Sequence, residues 1–185
     1  MKLLLISDLH SQKACLNYLE NAVKSDMPDG IICSGDIAQK EDYDFLSLFL
    51  RKLDKISLPA FIIWGNNEAV GQQKIIEDSK YNSHLVLREI GEWKIFGVGE
   101  VEDMPAFDTT QIKDAILITH RPPLKESLEK QLPNAPRYHI HGHLHFQKEV
   151  KKYPATTTIS VPSFQMGEYA LFEPAENKIT FKKIS

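Results

Sequence analysis

The sequence predicts an α/β fold, a sandwich of two packed mixed β-sheets flanked by helices, built as one domain over residues 1–185. Three observations predict it. Short apolar runs alternate with amphipathic stretches of helical length in the first half, and short β-prone segments follow one another in the second half. The 185 residues, of which 42% are hydrophobic and 25% charged, are enough for one sizeable core.

The first half predicts three parallel strands joined by helices. Three apolar runs have the length of buried strands: 2–6, 31–33 and 60–64. Ser11 suits the N-cap of a first helix, whose apolar residues between 14 and 23 have roughly helical spacing. The stretch 43–53 is strongly amphipathic, and a third helix is expected at 68–80. Strands joined by such crossovers lie parallel in one sheet.

The second half is richer in strands. Six short segments are β-prone, at 84–87, 93–98, 115–119, 138–141, 149–151 and 156–160. Segments 169–172 and 178–181 flank a Pro-Ala-Glu-Asn turn and predict a terminal hairpin. A short helix is expected at 124–132. The acidic stretch 100–110 has no clear periodicity, and both a loop near a site and a solvated connection fit it.

The composition argues against several classes of protein. A net charge of −3 gives no basic surface for nucleic acid, although metal ions would offset that charge locally. Cys15 and Cys33 form no CxxC pair and are expected to be buried free thiols. The apolar run at the start ends at Ser7, too early for a signal sequence or a membrane span, so a cytoplasmic protein is expected.

Polar residues follow each of the three predicted parallel strands. Asp8 and His10 come after the first strand, Asp36 after the second, and Asn66 and Asn67 after the third. Ligands of open α/β sheets gather outside the carboxyl ends of the strands, so these side chains should lie together. Residues two apart in an extended chain point to the same side, which would direct Asp8 and His10 toward one ion. A glycine before Asp36 and another before Asn66 permit sharp turns.

Histidines dominate the later part of this pattern. Four of the seven histidines occupy alternate positions of one stretch: His139, His141, His143 and His145. A further histidine, His120, precedes Arg121-Pro122-Pro123. The alternation predicts that all four lie on one side of the chain. His139 is expected at the surface, and His141 either behind a ligand or in packing, which leaves the last two as ligands. Each cluster alone is typical of a turn or a cap, but the ordered set indicates a metal centre.

The order Asp-x-His, Gly-Asp, Gly-Asn-x-Glu, His-x-Pro-Pro and Gly-His-x-His resembles that of the calcineurin-like metallophosphoesterases. The short spacing between motifs is similar to that of the small bacterial and archaeal phosphodiesterases. The resemblance spans Asp8 to His145 and implies a β-sandwich flanked by helices, with two divalent transition-metal ions. One ion would be held by Asp8, His10, Asp36 and His145, and the other by Asp36, Asn66, His120 and His143. Such mixed ligands fit Mn²⁺, Fe, Zn, Ni or Co better than Mg²⁺ or Ca²⁺, and Mn²⁺ is the first expectation.

The resemblance further implies a two-metal phosphodiesterase, in which a hydroxide that bridges the metals attacks the phosphodiester bond. Asp36, Asn67 and His120 would be its catalytic residues. Many members of the family carry a histidine at the position of Asn67, which is thought to protonate the leaving oxygen. An amide can donate a hydrogen bond but cannot deliver a proton, so activated aryl diesters are expected to be the better substrates.

Other functions stay open beside this one. A metal-dependent phosphomonoesterase differs only in substrate. A non-catalytic protein-binding module on the same fold is disfavoured because every ligand position is filled, and a DNA nuclease is disfavoured because no basic stripe occurs. The expected partner is a small phosphodiester or phosphate ester, without nucleic acid or membrane, and the terminal hairpin would suit a homodimer. Arg121 would contact either a substrate oxygen or a surface acid, and Trp64 is expected in the core.

Overall fold

The structure of the protein is a computed structural model that describes residues 1–100, 108–123 and 134–184. The described residues form three α-helices, α1 (Ala14–Asp26), α2 (Tyr43–Ile56) and α3 (Val70–Glu77). They also form eleven strands: β1 (Leu3–Ile6), β2 (Gly30–Cys33), β3 (Ala60–Ile62), β4 (Arg88–Ile90), β5 (Trp93–Val98), β6 (Ile116–Thr119), β7 (Tyr138–His141), β8 (Glu149–Lys152), β9 (Thr157–Ser160), β10 (Glu168–Glu173) and β11 (Lys178–Lys183).

The strands form two mixed sheets. In the first sheet, ordered β11-β10-β1-β2-β3, the strands β1, β2 and β3 are parallel and β10 lies antiparallel beside β1. The second sheet is ordered β4-β5-β6-β7-β9-β8. Its central strands β5, β6, β7 and β9 are parallel, and the edge strands β4 and β8 are antiparallel to their neighbours. The predicted fold of two mixed sheets with helices is confirmed.

Two apolar layers explain why β1 and residues 31–33 of β2 are hydrophobic at every position. Leu5 and Ile32 belong to the layer between the two sheets, together with Ile140 of β7. Leu4 and Ile31 belong to the layer that the first sheet shares with the helices. Because successive residues of a strand face opposite sides, a strand covered on both faces needs apolar residues throughout.

The predicted helices α1 and α2 are present, but the start of α1 was predicted wrongly. The helix begins at Ala14, and the preceding Lys13 makes no side-chain cap. Ser11 adopts a left-handed backbone, and its hydroxyl accepts the Gln39 N–H at 2.8 Å instead. The hydroxyl therefore joins two loops rather than capping the helix. In α2 the N-cap Asp42 accepts the N–H of Phe45 in the expected manner.

The predicted strand at 84–87 was also wrong. Only His84 makes an isolated bridge, to Gly97, and β4 begins at Arg88. Leu85 has a φ of 55°, which an extended strand does not allow, and the Asn82 side chain accepts the His84 N–H. The third helix is shorter than the predicted 68–80.

The remaining expectations divide by region. The terminal hairpin is confirmed, since β10 and β11 pair over their whole length. Cys15 and Cys33 are buried free thiols, and Trp64 is buried, all as predicted. The helix expected at 124–132 and most of the 100–110 stretch lie outside the described residues. No helix in the described part of the chain is long and apolar enough to cross a membrane. The single-domain organisation and the homodimer stay predictions.

Candidate metal centre

The loops after β1 and β2 are joined by backbone hydrogen bonds. The N–H groups of Leu9 and His10 both donate to the Asp36 carbonyl, at 2.9 and 3.0 Å, and the Asp8 N–H donates to Gly35. Asp8, His10 and Asp36 all have positive φ, of 55°, 48° and 51°. The expected extended conformation of Asp8-Leu9-His10 was therefore wrong. Both side chains still reach one place, because left-handed turns at each residue redirect the chain.

Close approach of backbones at the glycines allows the ligand loops to meet. Gly35 has a φ of +100°, and a Cβ there would lie 2.7 Å from the Gly65 nitrogen. A Cβ on Gly142 would lie 1.8 Å from the Ser7 Oγ. No side chain fits at either position, so each glycine is required by the contact between two ligand loops.

One group of ligand atoms gathers around Asp8. The buried Asp8 Oδ1 lies 3.3 Å from His145 Nε2 and 3.7 Å from His10 Nε2. The two imidazole Nε2 atoms lie 3.1 Å apart. A carboxylate oxygen and two ring nitrogens thus converge on one point.

A second group gathers around His120. Its Nε2 lies 3.3 Å from Asp36 Oδ2 and 3.1 Å from Asn66 Oδ1. Its Nδ1 lies 2.9 Å from the Ser34 carbonyl, which can only accept, so Nδ1 carries the hydrogen. In the neutral ring, Nε2 then presents a lone pair toward two oxygens, which is the arrangement of a metal-binding histidine held by a carbonyl.

Asp36 lies between the two groups. Its Oδ2 is 3.3 Å from His120 Nε2 and 3.9 Å from His10 Nε2. The described residues contain two sets whose ligand atoms all lie within 4.8 Å of one another, Asp8-His10-His145 and Asp8-Asp36-His120. Asp8 thus also adjoins the second set, whereas the sequence placed it with one ion only.

His143 and Asn67 complete the site. The His143 ring lies edge-on to His120, with centroids 5.1 Å apart, and its Nε2 is 3.2 Å from Nη1 of Arg121. The Asn67 side-chain amide donates to Asp36 Oδ2 at 2.6 Å. Arg121 also pairs with Glu100 at 2.6 Å, which is the surface acid foreseen as one of its two alternatives.

The titration behaviour of these groups follows from their burial and their contacts. Burial alone would raise the pKa of Asp36, but the bond to His120, its charge and the N–H of Asn67 hold that pKa at about 2. Burial lowers the pKa of His120, yet contact with Asp36 outweighs it and raises the pKa. Burial lowers the pKa of both His10 and His143, which favours the neutral imidazole that binds metals.

The donor set fits divalent cations. Asp8 Oδ1 is buried and has no hydrogen-bond partner among the described residues. Its nearest ring nitrogens belong to His10 and His145, whose own Nε2 atoms face each other. Buried acceptors left facing acceptors are costly, and a cation between them would satisfy all of them. Imidazole, carboxylate and amide donors together suit a transition metal.

The histidine row differs from its prediction. The strand ends at His141, and His143 has a φ of 67°, so the alternation does not continue to His145. His139 was expected at the surface but is buried. Its ring nitrogen lies 2.8 Å from Thr119 Oγ1 of the neighbouring strand, which meets its polar requirement in the interior. His141 is buried in packing, as expected.

Glu68 is a residue of the site that the sequence reasoning missed. Its two carboxylate oxygens accept the N–H of Ala38 at 2.8 Å and of Gly65 at 2.7 Å. It therefore ties the loop of Asp36 to the loop of Asn66. Burial raises its pKa to about 7, against the two N–H bonds. The glutamate of the Gly-Asn-x-Glu motif was the available signal. Outside the ligand set, His84 stacks on Trp64 with centroids 4.2 Å apart, a structural role.

Known proteins resemble this chain in family and in fold. The model of the calcineurin-like phosphoesterase family matches residues 1–147. No curated protein sequence matches the chain. A protein of Thermus thermophilus superposes with a TM-score of 0.77 at 16% identity, over 98% of each chain. An archaeal phosphodiesterase gives 0.64 at 15% identity, and Yfce, a phosphoesterase from E. coli, gives 0.54 at 12%, each over 100% of both chains. These similarities show a shared fold.

Proposed function

The chain belongs to the calcineurin-like phosphoesterase family, and from this premise we propose that it is a two-metal phosphodiesterase. Membership supports a metal-dependent hydrolase that acts on phosphoester bonds, since the family binds divalent metals. The finer assignment to diesters and to two ions is our proposal. The observation that carries this proposal is the position of Asp36 between two groups of ligand atoms. Beside it lies the Asn67 amide, which cannot act as a general acid.

The two groups divide the predicted ligands. Asp8, His10, Asp36 and His145 would hold one ion, and Asp36, Asn66, His120 and His143 the other. Two divalent ions supply Lewis-acid chemistry, in which they activate water and stabilise the charge that develops on the phosphate. We propose Mn²⁺ as the first of these metals, with Fe, Zn, Ni and Co as alternatives.

The Asn67 side chain can bind the substrate phosphate but cannot protonate the leaving group. The Asn67 amide contacts Asp36 Oδ2 and lies 3.3 Å from His10 Nδ1, so it lies within the ligand set. There it can donate a hydrogen bond to a phosphoryl oxygen, but it has no proton to deliver to a leaving alkoxide. Departure of the leaving group then depends on its own stability, which favours aryl esters.

Charge supports diesters over monoesters. Asp8 and Asp36 neutralise two of the four positive charges that two divalent ions bring, and a diester adds only one negative charge at neutral pH. One observation favours the monoester instead. Arg121 places a guanidinium, about half exposed, 3.2 Å from His143 Nε2, where it could meet the second charge of a phosphate dianion. A phosphomonoesterase is therefore the second candidate.

A comparison of two substrates tests the phosphodiesterase against the phosphomonoesterase. Bis-p-nitrophenyl phosphate and p-nitrophenyl phosphate release the same chromophore, so their rates compare directly. Protein stripped with EDTA is reloaded with Mn²⁺, Ni²⁺, Co²⁺ or Zn²⁺, and bound metal is counted. Asp36→Ala is the inactive reference, and Asp44→Ala removes an exposed carboxylate of α2 as the matched control.

The proposal expects faster cleavage of the diester, restored by metal, retained in Asp44→Ala and lost in Asp36→Ala. Faster cleavage of the monoester would replace it with the second candidate. Two bound ions without turnover of either substrate would instead leave the fold as a binding module.

A further inference from the structure

One arginine at the edge of the candidate metal centre makes two contacts through separate nitrogens of its guanidinium. Arg121 Nε donates to Glu100 Oε1 at 2.6 Å, and Nη1 lies 3.2 Å from His143 Nε2. Arg121 directly follows the predicted ligand His120, and His143 is itself a predicted ligand. The two partners foreseen for Arg121, a surface acid and a substrate oxygen, are therefore compatible, because each can use a different N–H group.

Glu100 holds this arginine from a backbone that is anchored to the strand end before a ligand loop. The Glu100 N–H donates to the Trp64 carbonyl at 3.2 Å, and the Glu100 carbonyl accepts the Trp64 indole N–H at 2.8 Å. Trp64 is buried and lies two residues before Asn66. On the other side, the Arg121 carbonyl accepts the Thr119 hydroxyl at 2.6 Å. Both residues of the pair are therefore attached to the segments that carry ligands of the second group.

The contact between Arg121 and His143 cannot persist once His143 binds a metal ion. A neutral imidazole has one nitrogen that accepts a hydrogen bond and one that carries a hydrogen. An ion bound at Nε2 uses the lone pair that Arg121 contacts, and an ion bound at Nδ1 leaves the hydrogen on Nε2, which then cannot accept. In both cases Arg121 Nη1 loses this acceptor, while the contact of Nε with Glu100 is unaffected. The guanidinium then has an N–H group to donate beside the ligands, where the substrate phosphate would bind.

Glu100 also determines how much charge the arginine presents to a substrate. Because its carboxylate lies 2.6 Å from the guanidinium, the pair offers hydrogen bonds without a net charge. The side chain of Glu100 is 27% exposed and that of Arg121 is 52% exposed, so solvent screens the two charges in part. An unpaired arginine would favour the dianion of a monoester, whereas the carboxylate of this pair repels the second charge. The pair therefore suits the single charge of a diester.

We propose that Arg121 binds a non-bridging oxygen of the substrate phosphate and that Glu100 is its positioning residue. A planar guanidinium with several N–H groups can bind a carboxylate and a phosphate at once. By compensating the charge of Arg121, Glu100 also contributes to specificity for diesters over monoesters. This inference rests on the proposed diesterase function and adds two residues to its substrate site, neither of which is a metal ligand.

Two small esters test the contact with phosphate in a way that needs no turnover. At pH 8 dimethyl phosphate carries one negative charge and methyl phosphate two, and both have poor alkyl leaving groups. Calorimetric titration of Mn²⁺-loaded protein gives the dissociation constant of each ester. Arg121→Ala should weaken the binding of both about tenfold or more, since hydrogen bonds to charged groups are the stronger kind. Its affinity for Mn²⁺ should equal or exceed that of the wild type, because the variant lacks the group that competes with metal for His143.

Glu100→Gln tests the role in specificity, because it keeps an oxygen that accepts the Arg121 N–H and removes only the charge. It should tighten the binding of methyl phosphate about 2- to 5-fold relative to dimethyl phosphate. The kcat/KM for p-nitrophenyl phosphate should rise by a similar factor relative to bis-p-nitrophenyl phosphate. Arg121→Lys is the second variant for the arginine, since it keeps the charge but lacks the planar guanidinium. Thermal unfolding checks each protein.

Glu173→Gln is the matched control for the loss of charge. Glu173 pairs with Lys178 at 2.8 Å, and their side chains are 22% and 57% exposed, close to the values of the proposed pair. The neighbouring Phe172 pairs with Leu3 at the start of β1, whereas Asp8 follows the end of that strand. The ratio of the two dissociation constants should therefore stay at its wild-type value in Glu173→Gln.

The outcomes separate the inference from the proposed function. Wild-type dissociation constants in Arg121→Ala at full metal occupancy, or loss of its bound metal, would overturn the phosphate contact. An unchanged ratio of the two esters in Glu100→Gln would overturn the role of Glu100 in specificity. These results appear in the variants alone. The diesterase itself fails in the wild type, through faster cleavage of the monoester or absence of any turnover.

Discussion

Replacing Gly65 with alanine should weaken metal binding while the fold persists. Gly65 follows β3 and directly precedes Asn66. A Cβ at this position would lie 2.1 Å from Asp36 Oδ1 and 2.6 Å from the Asp36 backbone nitrogen, whereas real Cβ atoms stay beyond 3.0 Å. The carboxylate oxygen must therefore recede by at least about 0.9 Å from the place that it now occupies.

That displacement is large for a ligand. Asp36 Oδ1 accepts the Asn67 N–H at 2.9 Å, and Oδ2 lies 3.3 Å from His120 Nε2, so movement of the carboxylate disturbs both contacts. Functional constellations tolerate roughly 0.5 Å, and loss of a contact that orients a ligand costs about 10–100-fold in metal affinity. Overpacking of this kind destabilises a protein by about 1–3 kcal/mol, which reduces stability without abolishing the fold.

The assay is metal affinity by competition with a chelator, for Mn²⁺ and Zn²⁺, together with urea unfolding in EDTA. Gly71→Ala is the matched control. Its Cβ would lie 2.6 Å from the Tyr43 hydroxyl, the far end of a side chain that can swing aside. Alanine also favours the helix by up to about 1 kcal/mol there. Gly65→Ala with wild-type affinity and stoichiometry would refute the reasoning that Asp36 is held in place by a backbone contact.

Two further predictions concern a histidine introduced into the site and a buried histidine outside it. Asn67→His should raise the hydrolysis rate of diesters with alkyl leaving groups by about tenfold or more and leave aryl diesters nearly unchanged, because general acid catalysis matters only for poor leaving groups. Rates of both classes in Asn67→His and Asn67→Gln check it, and an equal effect on both classes contradicts it. Burial lowers the pKa of His139 to about 3. Below about pH 6.5 the unfolded chain therefore binds a proton at this residue and the folded protein does not, so the free energy of unfolding falls as the pH falls. Between pH 7 and pH 5 in EDTA, urea unfolding should show the wild type losing about 2 kcal/mol more than His139→Gln, and parallel losses would count against it.

Much of the fold was predictable because burial on both faces imposes a simple pattern. The strands β1 and β2 lie between two apolar layers, so an uninterrupted apolar run was enough to identify them. The order of motifs then predicted which side chains meet. Six of the seven predicted ligands have a ligand atom within 4 Å of another's, and His143 adjoins them through its ring.

The local conformations were not predictable for a different reason. The left-handed turns at Asp8 and His10 are stabilised by hydrogen bonds to the loop of Gly35 and Asp36, far along the chain. The burial of His139 depends on Thr119 in the adjacent strand. Neither partner can be inferred from neighbouring residues. The predictions of an extended chain at Asp8 and of an exposed His139 were wrong because they used local sequence rules. At both positions, contacts with residues far along the chain determine the conformation and the burial.

The centre also depends on residues beyond the part of the chain that matches the family model. That match ends at residue 147, yet Ser163 donates its hydroxyl to the Asp8 carbonyl at 2.8 Å, and Gln165 donates its N–H to the same oxygen. The Phe164 N–H donates to the Ser7 carbonyl, so three consecutive residues hold the turn that presents Asp8. Strand β10 then pairs with β1 directly behind it. The ligand residues therefore identify the chemistry, but the segment after them fixes the backbone from which the first ligand projects.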